Sequence, residues 1–367
     1  MLLGCHKADH VEPVNPPIEF PEYFGPDDSH SGHGSSIAID AQNTRHISYF
    51  NYKEGSIKYA FFKYGIGMKK YEGAIIDSTA YNIVNIPATV IFNSIAVDKM
   101  EFAHVSYSRC FEDNVQHVDN DLYYATNSSG KWQSTLVDKE GNSGGYNSIG
   151  IDSKGKIHIA YSEYPYNLKY ATNINGNWET TIIDPIQVIH CHIGIDSNDK
   201  LHISYMDHSS LNLKYATNIN GYWETIVLDS LSGWDNDLAI DSHDKIHISH
   251  FTEIPTFALK YTTNVDGSWL TSIVEEDIDW GTSIKVDIND NVFISCFDNI
   301  THNLKVLAHF KSDVYWISKN VNEPKLDDIG RYDELALDMD QNLWITCCDW
   351  YMNKLKLFYV NQQDFKN

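Results

Sequence analysis

The stretch SIGIDSKGKIHIAYSEYPYNLKYATNINGNWETTIID, from Ser148 to Asp184, decides the fold. It holds four short runs, Ile149–Ile151, Ile157–Tyr161, Leu168–Thr172 and Trp178–Ile183. The breaks between them are Ser153-Lys154-Gly155-Lys156, Tyr164-Pro165-Tyr166 and Asn173-Ile174-Asn175-Gly176. Runs rich in Ile, Tyr and Thr, punctuated by Lys-Gly and Asn-Gly, read as antiparallel strands joined by tight hairpins. A second copy follows at once, HIGIDSNDKLHISYMDHSSLNLKYATNINGYWETIVLD, from His192 to Asp229.

Working outward, the Asp that ends each first run recurs as Asp40, Asp98, Asp152, Asp196, Asp241, Asp287 and Asp338, at spacings of 58, 54, 44, 45, 46 and 51 residues. Repeats of about 40–50 residues built from four strands are the signature of propeller blades. No stretch keeps a helical period, which excludes helical solenoids. The regular hairpins exclude a parallel β-helix. The expected fold is therefore all-β: a seven-bladed β-propeller of four-stranded antiparallel blades, forming one domain over residues 11–367. The blades are placed at approximately 35–77, 93–138, 147–184, 191–229, 236–275, 282–321 and 333–360. The last copy supplies only three strands, and a segment near 11–20 is expected to add the fourth and close the ring, although Pro13, Pro16 and Pro17 speak for a loose tail.

The net charge is −23 and the chain has three arginines, Arg45, Arg109 and Arg331. Nucleic acid is excluded as a partner, because phosphate binding needs basic patches. An anionic membrane surface is disfavoured for the same reason, and no apolar run is long enough to span a bilayer. The start Met1-Leu2-Leu3-Gly4-Cys5 resembles the lipobox of bacterial lipoproteins, which implies lipidation at Cys5, export to the cell envelope, and residues 1–10 as a tether. A chance match in a cytoplasmic protein is the alternative. Cys110, Cys191, Cys296, Cys347 and Cys348 match no zinc spacing, and no metal site is expected. Cys296 and Cys347 take a position that is Tyr in earlier copies and read as buried; a Cys110–Cys191 disulfide is conceivable.

A turn T-N-x-x-G-x-W recurs as Thr126–Trp132, Thr172–Trp178, Thr217–Trp223 and Thr263–Trp269. It is similar to a degenerate Asp-box, and the chain resembles bacterial propellers with BNR-like repeats, of the sialidase-like architecture. In that family the turn is structural and lies opposite the active site. The sialidase arginine triad is not present, since Arg45 falls in a turn on the wrong face and only Arg109 and Arg331 remain.

Five copies carry a second-strand His: His46, His104, His158, His202 and His247. Equivalent positions in a ring of blades cannot converge on one ion, so a buried His paired with the first-strand Asp is expected. The turns Asp287–Asn291 and Asp338–Asn342 look faintly like calcium loops, but Asp and Asn are also what tight turns use. No cofactor is expected.

Function is expected where the copies differ, on the face carrying the loops Tyr71–Phe92, Asp138–Asn147, Asp184–Cys191, Asp229–Asn236, Glu275–Thr282 and Val321–Asp333. At the entrance to the first strand stand Ser36, Ser94, Ser148, His192, Asp237, Ser283 and Glu334. Beyond the second strand stand Asn51, Arg109, Glu163, Asp207, Thr252, Asp298 and Asp349. The loops add Tyr81, Tyr146, Tyr164, Tyr166, His190, Trp234, Trp280, Trp350 and Tyr351. Aromatic rings among carboxylates and hydroxyls suit sugars, and equally a basic peptide. The leading expectation is a non-enzymatic module binding glycan or another extracellular polymer through Trp234, Trp280, Trp350, Tyr351, Asp207, Asp298, Asp349, Glu163, Arg109 and Arg331. The alternatives are a carbohydrate-active enzyme and a protein-interaction scaffold. For an enzyme, Asp237 and Glu334 would supply the two carboxyls of a glycosidase, which flank the bond at about 5–9.5 Å. His192 would serve as the base of a lyase.

Overall fold

A computed structural model describes residues 34–366 except 52, 64–69, 83–91, 113–117, 166, 255, 299, 322–328 and 350–353. The chain is an all-β, seven-bladed β-propeller, and the 3-10 turn Gln362–Phe365 is the one helical element among the described residues. Blades one and three to six are four-stranded sheets in simple meander order. Blade two adds the short strand Tyr81–Asn82, parallel to the end of Ala103–Glu112. Blade seven has three described strands, Ile329–Leu337, Leu343–Asp349 and Lys354–Val360. The segment near 11–20 expected to complete it lies outside the described residues, as does Cys5.

The innermost strands are Ser36–Ile39, Asn93–Val97, Asn142–Ile151, Val188–Ile195, Trp234–Ile240, Ile278–Val286 and Ile329–Leu337. Each meets the next, and the seventh meets the first, so the ring is closed. In blades three to seven this strand begins two to five residues before the expected boundary, because the pairing continues past a bulge. Tyr71 likewise belongs to the outer strand Lys70–Asp77 and not to the loop that follows.

An inner strand has an unpaired edge, whose N–H groups must find acceptors. The entrance positions supply them. Ser36 Oγ accepts from Ile95 N of the next blade at 3.0 Å, Ser94 from Ile149 at 3.3 Å, Ser148 from Ile193 at 3.2 Å and Ser283 from Leu335 at 3.1 Å. Asp237 Oδ2 accepts from Ile284 N at 2.9 Å, and Glu334 Oε2 accepts from Ile37 N at 3.3 Å, which joins the last blade to the first. Arg45 strengthens that joint. It lies in the second strand Thr44–Asn51, not in a turn as expected, fully buried with Nη2 3.3 Å from Asp338 Oδ2 and its guanidinium over the Trp344 ring.

The opposite face repeats the device. Ser153 N donates to Asp199 Oδ1, Ser197 N to Asp244 and Ser242 N to Asp290, each from one blade's turn to the next. Ile288 N to Gln341 and Met339 N to Asn43 continue it across the closure. Asp287 and Asp338, the faintly calcium-like positions, turn Oδ1 inward onto two N–H groups of their own turns.

The strand histidines are structural. His46, His104, His158, His202 and His247 sit with Nε2 3.0–3.4 Å from the first-strand Asp, while Nδ1 meets a third-strand Tyr hydroxyl at 2.5–2.6 Å. Each of those tyrosines, Tyr59, Tyr124, Tyr170, Tyr215 and Tyr261, packs against a Trp of the next blade. In blade seven Trp344 Nε1 donates to Asp338 in place of the imidazole. Cys110, Cys191, Cys296 and Cys347 are free, buried thiols, so Cys110 and Cys191 are not bridged.

Burial holds all five histidines below the ordinary value of 6.5, against the pull of their aspartates. The unfolded chain therefore binds protons near and below pH 6.5 that the folded one refuses. Stability is full above that pH and falls as the medium acidifies, by about 1.4 kcal/mol per pH unit for each histidine. Replacing His202 with Ala should cost about 2–4 kcal/mol at neutral pH. It should also flatten the acid limb of a urea-denaturation series.

Candidate functional site

The ring of entrance positions is uniform over blades one to three and changes from blade four onward. Serine gives way to His192, Asp237 and Glu334, with Ser283 between the last two. At the one joint where no side chain caps the next blade's N–H, His192 instead turns Nδ1 to Asp237 Oδ1 at 3.2 Å, and Leu238 N folds back onto Asp237 itself. Asp237 Oδ2 also accepts from Ser283 Oγ at 2.8 Å and lies 3.3 Å from Lys285 Nζ. The exposures divide the roles: the Asp237 side chain is 7 % exposed, His192 40 % and Lys285 31 %. Burial opposes the charge on Asp237, but Lys285 and His192 outweigh it and hold the carboxyl far below the usual range. Asp237 is thus a fixed anion that anchors its neighbours.

A second layer lies just above. Inner-strand bulges put Tyr146, His190 and Asp235 in the left-handed region, at φ 45°, 47° and 41°, where Gly281 stands in blade six at 87°. Non-glycine residues held there cost free energy, and such positions gather at functional sites. Gly233 permits the bulge in blade five: at φ 112° a Cβ would stand 3.0 Å from the Leu213 backbone. His190 Nδ1 meets Asp235 Oδ1 at 2.9 Å. Burial works against ionisation of Asp235, yet His190 and Gly281 N–H hold its carboxyl low. The Phe92, Tyr146 and His190 rings touch in sequence, with centroids 4.2 and 4.6 Å apart, and Trp234 packs edge-on to His190 and His208. The mouth is bordered by aromatic rings on blades two to four and by charges on blades four to seven.

Glu334 stands almost opposite His192 around the sevenfold ring. Burial pushes its carboxyl up to about 6 against the pull of Lys285. Asp333 beside it has a different part. In other blades this position is Asn93, Asn147 or Asn236, whose amide nitrogen donates to a backbone carbonyl of the preceding blade. Asn93 and Asn147 also accept from Ser48 and Ser106 of that blade. Asp333 replaces the amide and is buried, with its carboxyl beside Ser295 of the preceding blade, the counterpart of Ser48 and Ser106. Burial pushes it up to about 7, with Asp235 and Asp237 adding to the effect.

The residues expected beyond the second strand are engaged elsewhere. Asp207 accepts from Ser209 N, Ser210 N and Ser210 Oγ, and Asp298 from Ile300 N and Thr301 N while meeting Lys305 at 2.9 Å. Glu163 bonds Asn167 and lies 3.8 Å from Lys169. Arg109 donates to Thr79 O and Tyr123 Oη and covers the Tyr123 ring. Trp350 and Tyr351 lie outside the described residues, as do the side chains of Trp280, Arg331 and Asp349. Sequence reasoning singled out His192, Asp237 and Glu334, which stand at the entrance positions of their inner strands, His192 and Asp237 in contact and Glu334 across the ring. It missed Asp235, Lys285, Asp333 and Phe92; the place two residues before each entrance position, a bulge in blade five, is the signal that finds Phe92 and Asp235.

No family model matches the chain, and no curated protein matches it. Solved structures do. A polysaccharide lyase of family PL25, an ulvan lyase, superposes with a TM-score of 0.66 at 11% identity, covering 92% of this chain and 98% of that one. The chain shares their fold. An ulvan lyase structure with -[GlcA(1-4)Rha3S]- bound gives the same TM-score at 10% identity, over 89% of this chain and 94% of that one. The intramolecular trans-sialidase from Ruminococcus gnavus matches at 0.52 with 13% identity over 96% and 98%. The NanB sialidase from Streptococcus pneumoniae matches at 0.53 with 10% identity over 96% of this chain and 71% of that chain.

Asp333 sets a pH dependence opposite to that of the histidines. Its carboxyl is held protonated when folded, at about 7 against an ordinary 3.8, so the folded chain keeps a proton that the unfolded one has lost. Stability should fall as pH rises from about 4 to about 7 and then level off. Asp333→Asn restores the amide of the other blades. It should raise stability by about 2–4 kcal/mol at pH 7 and by almost nothing near pH 4. Urea titrations of both proteins at the two pH values check the difference.

Proposed function

We propose that the protein recognises a glycan at the axial mouth of its loop face, on blades two to seven. The observation that carries this reading is the division of the mouth into an arc of touching rings, Phe92, Tyr146 and His190, and an arc of hydrogen-bonding groups, His192, Lys285 and Glu334. Ring faces pack on the apolar CH patches of a sugar, while the polar arc meets its hydroxyls. The glycan-related neighbours of the same fold support the reading at the level of ligand class.

Charge narrows the ligand. Asp235 and Asp237 are held ionised and Glu334 adds a carboxyl, with Lys285 as the one lysine in contact with the cluster among the described residues. A mouth of that balance favours neutral or amino-bearing saccharides over polyuronates. An exported location with Cys5 as the anchored residue completes the proposal; metabolic labelling with a fatty acid tests that part.

A glycan array carrying neutral, aminated and uronate-bearing polysaccharides tests the ligand class. Retention of neutral or aminated chains is expected, with affinity reduced about tenfold or more by Tyr146→Ala and by His190→Ala. Wild-type affinity in both folded variants would remove the mouth from the reading.

A further inference from the structure

The mouth also has the parts of an acid–base centre. His192 is oriented by a buried, ionised Asp237 on its Nδ1 edge, so the Nε2 edge of a ring 40 % exposed is the one left for the lumen. An anion at Nδ1 stabilises the imidazolium that forms when Nε2 takes a proton. Glu334 is partly exposed; its Oε2 accepts from Ile37 N, and the Ser36 hydroxyl also meets its carboxyl. Blades four and seven stand nearly opposite in the ring, so a sugar seated between His192 and Glu334 has one group on each side. Three further entrance positions, Ser36, Ser94 and Ser148, carry no titratable group, and their hydroxyls cap the next blade. The chemistry is confined to this arc.

We infer that the mouth hydrolyses a glycosidic bond of a neutral or amino-bearing polysaccharide, with His192 as general base, Glu334 as general acid and Asp237 as the positioning residue. This rests on the glycan reading of the same site. In the step, His192 Nε2 takes a proton from water as the water oxygen bonds to the anomeric carbon. The bond from that carbon to the glycosidic oxygen breaks, and Glu334 gives its proton to the leaving oxygen. One water is consumed, two shorter saccharides result, and solvent returns the proton from His192 to Glu334. Attack from the side opposite the leaving group inverts the anomeric centre. The partly buried carboxyl of Glu334, held up to about 6, keeps a proton to donate in mildly acidic medium. The same two carboxyls expected from sequence as a catalytic pair therefore divide differently: Asp237 is buried and enclosed by Ser283, Ile284, Lys285 and His192, and Glu334, the more exposed of the two, takes the acid's part.

The test incubates the full chain with xylan, mannan, β-glucan and chitosan, and reads new reducing ends, product masses and the anomeric signal of the first product. Products larger by one water than the broken pieces, with inverted configuration and a rate falling as pH rises through about 6, are expected. Glu334→Gln keeps the acceptor for Ile37 N and so keeps the ring joint; it should lose at least about 100-fold in rate while binding the same polysaccharide. His192→Ala should lose as much. Asp237→Asn should lose rate with little change in KM and shift the acid limb of the pH profile. Binding without new reducing ends overturns the catalytic inference and leaves recognition standing. Neither binding nor cleavage overturns both. Unsaturated products without added water, or full activity in folded Glu334→Gln, overturn the assigned chemistry.

Discussion

The structure depends on how each inner strand satisfies the edge it cannot pair. A propeller blade presents a free strand to the axis, and buried N–H groups there cost free energy if left without acceptors. The solution, in six of the seven blades, is one side chain reaching across to the next: Ser36, Ser94, Ser148, Asp237, Ser283 and Glu334. A second set of acceptors does the same between turns on the far face. The ring is thereby joined at both rims by hydrogen bonds that are local in space and distant in sequence.

That constraint explains which substitutions the repeat tolerates. The cap needs only an oxygen at the right distance, so a carboxylate can stand where serine does. Asp237 and Glu334 keep the bond and add charge, and His192 abandons the bond to pair with the carboxylate of the next blade. Likewise the first-strand Asp takes different donors in different blades: the imidazole of His46, the indole of Trp344, or the amides of Asn291 and Gln362 on Asp287. Chemistry at the mouth grows out of a structural position without dismantling it. Asp333 is the case where replacement changes the titration of the position, since a buried carboxyl held protonated stands where Asn147 and Asn236 carry an amide that donates to the preceding blade.

The architecture was legible in the sequence because seven copies report the same alternation and the same turns. Comparing copies also separated packing from function: the strand histidines and the Trp of each T-N-x-x-G-x-W turn fall into one chain of contacts, Asp to His to Tyr to the neighbouring blade's Trp. His192, Asp237 and Glu334 were legible for the converse reason, being departures at a position that is otherwise serine. What escaped was whatever depends on the bulges. Period-two alternation assigns Asp235 to a loop; in the folded chain a residue at positive φ carries each bulge in blades three to five.

The acidic residues beyond the second strand show the opposite limit. Asp207 and Asp298 look like a ring of ligand carboxylates when read across copies, but each caps the first N–H groups of the turn that follows it. Asp and Asn are selected at such places because their short side chains reach back to the backbone two and three residues on. A repeated carboxylate is therefore weak evidence for a ligand wherever a turn begins. A carboxylate that interrupts a repeat of serines has no turn to cap, and its charge must be answered by other side chains. At the mouth those answering groups are His192 and Lys285, which is why the departure from the repeat, and not the density of acidic residues, marks the site.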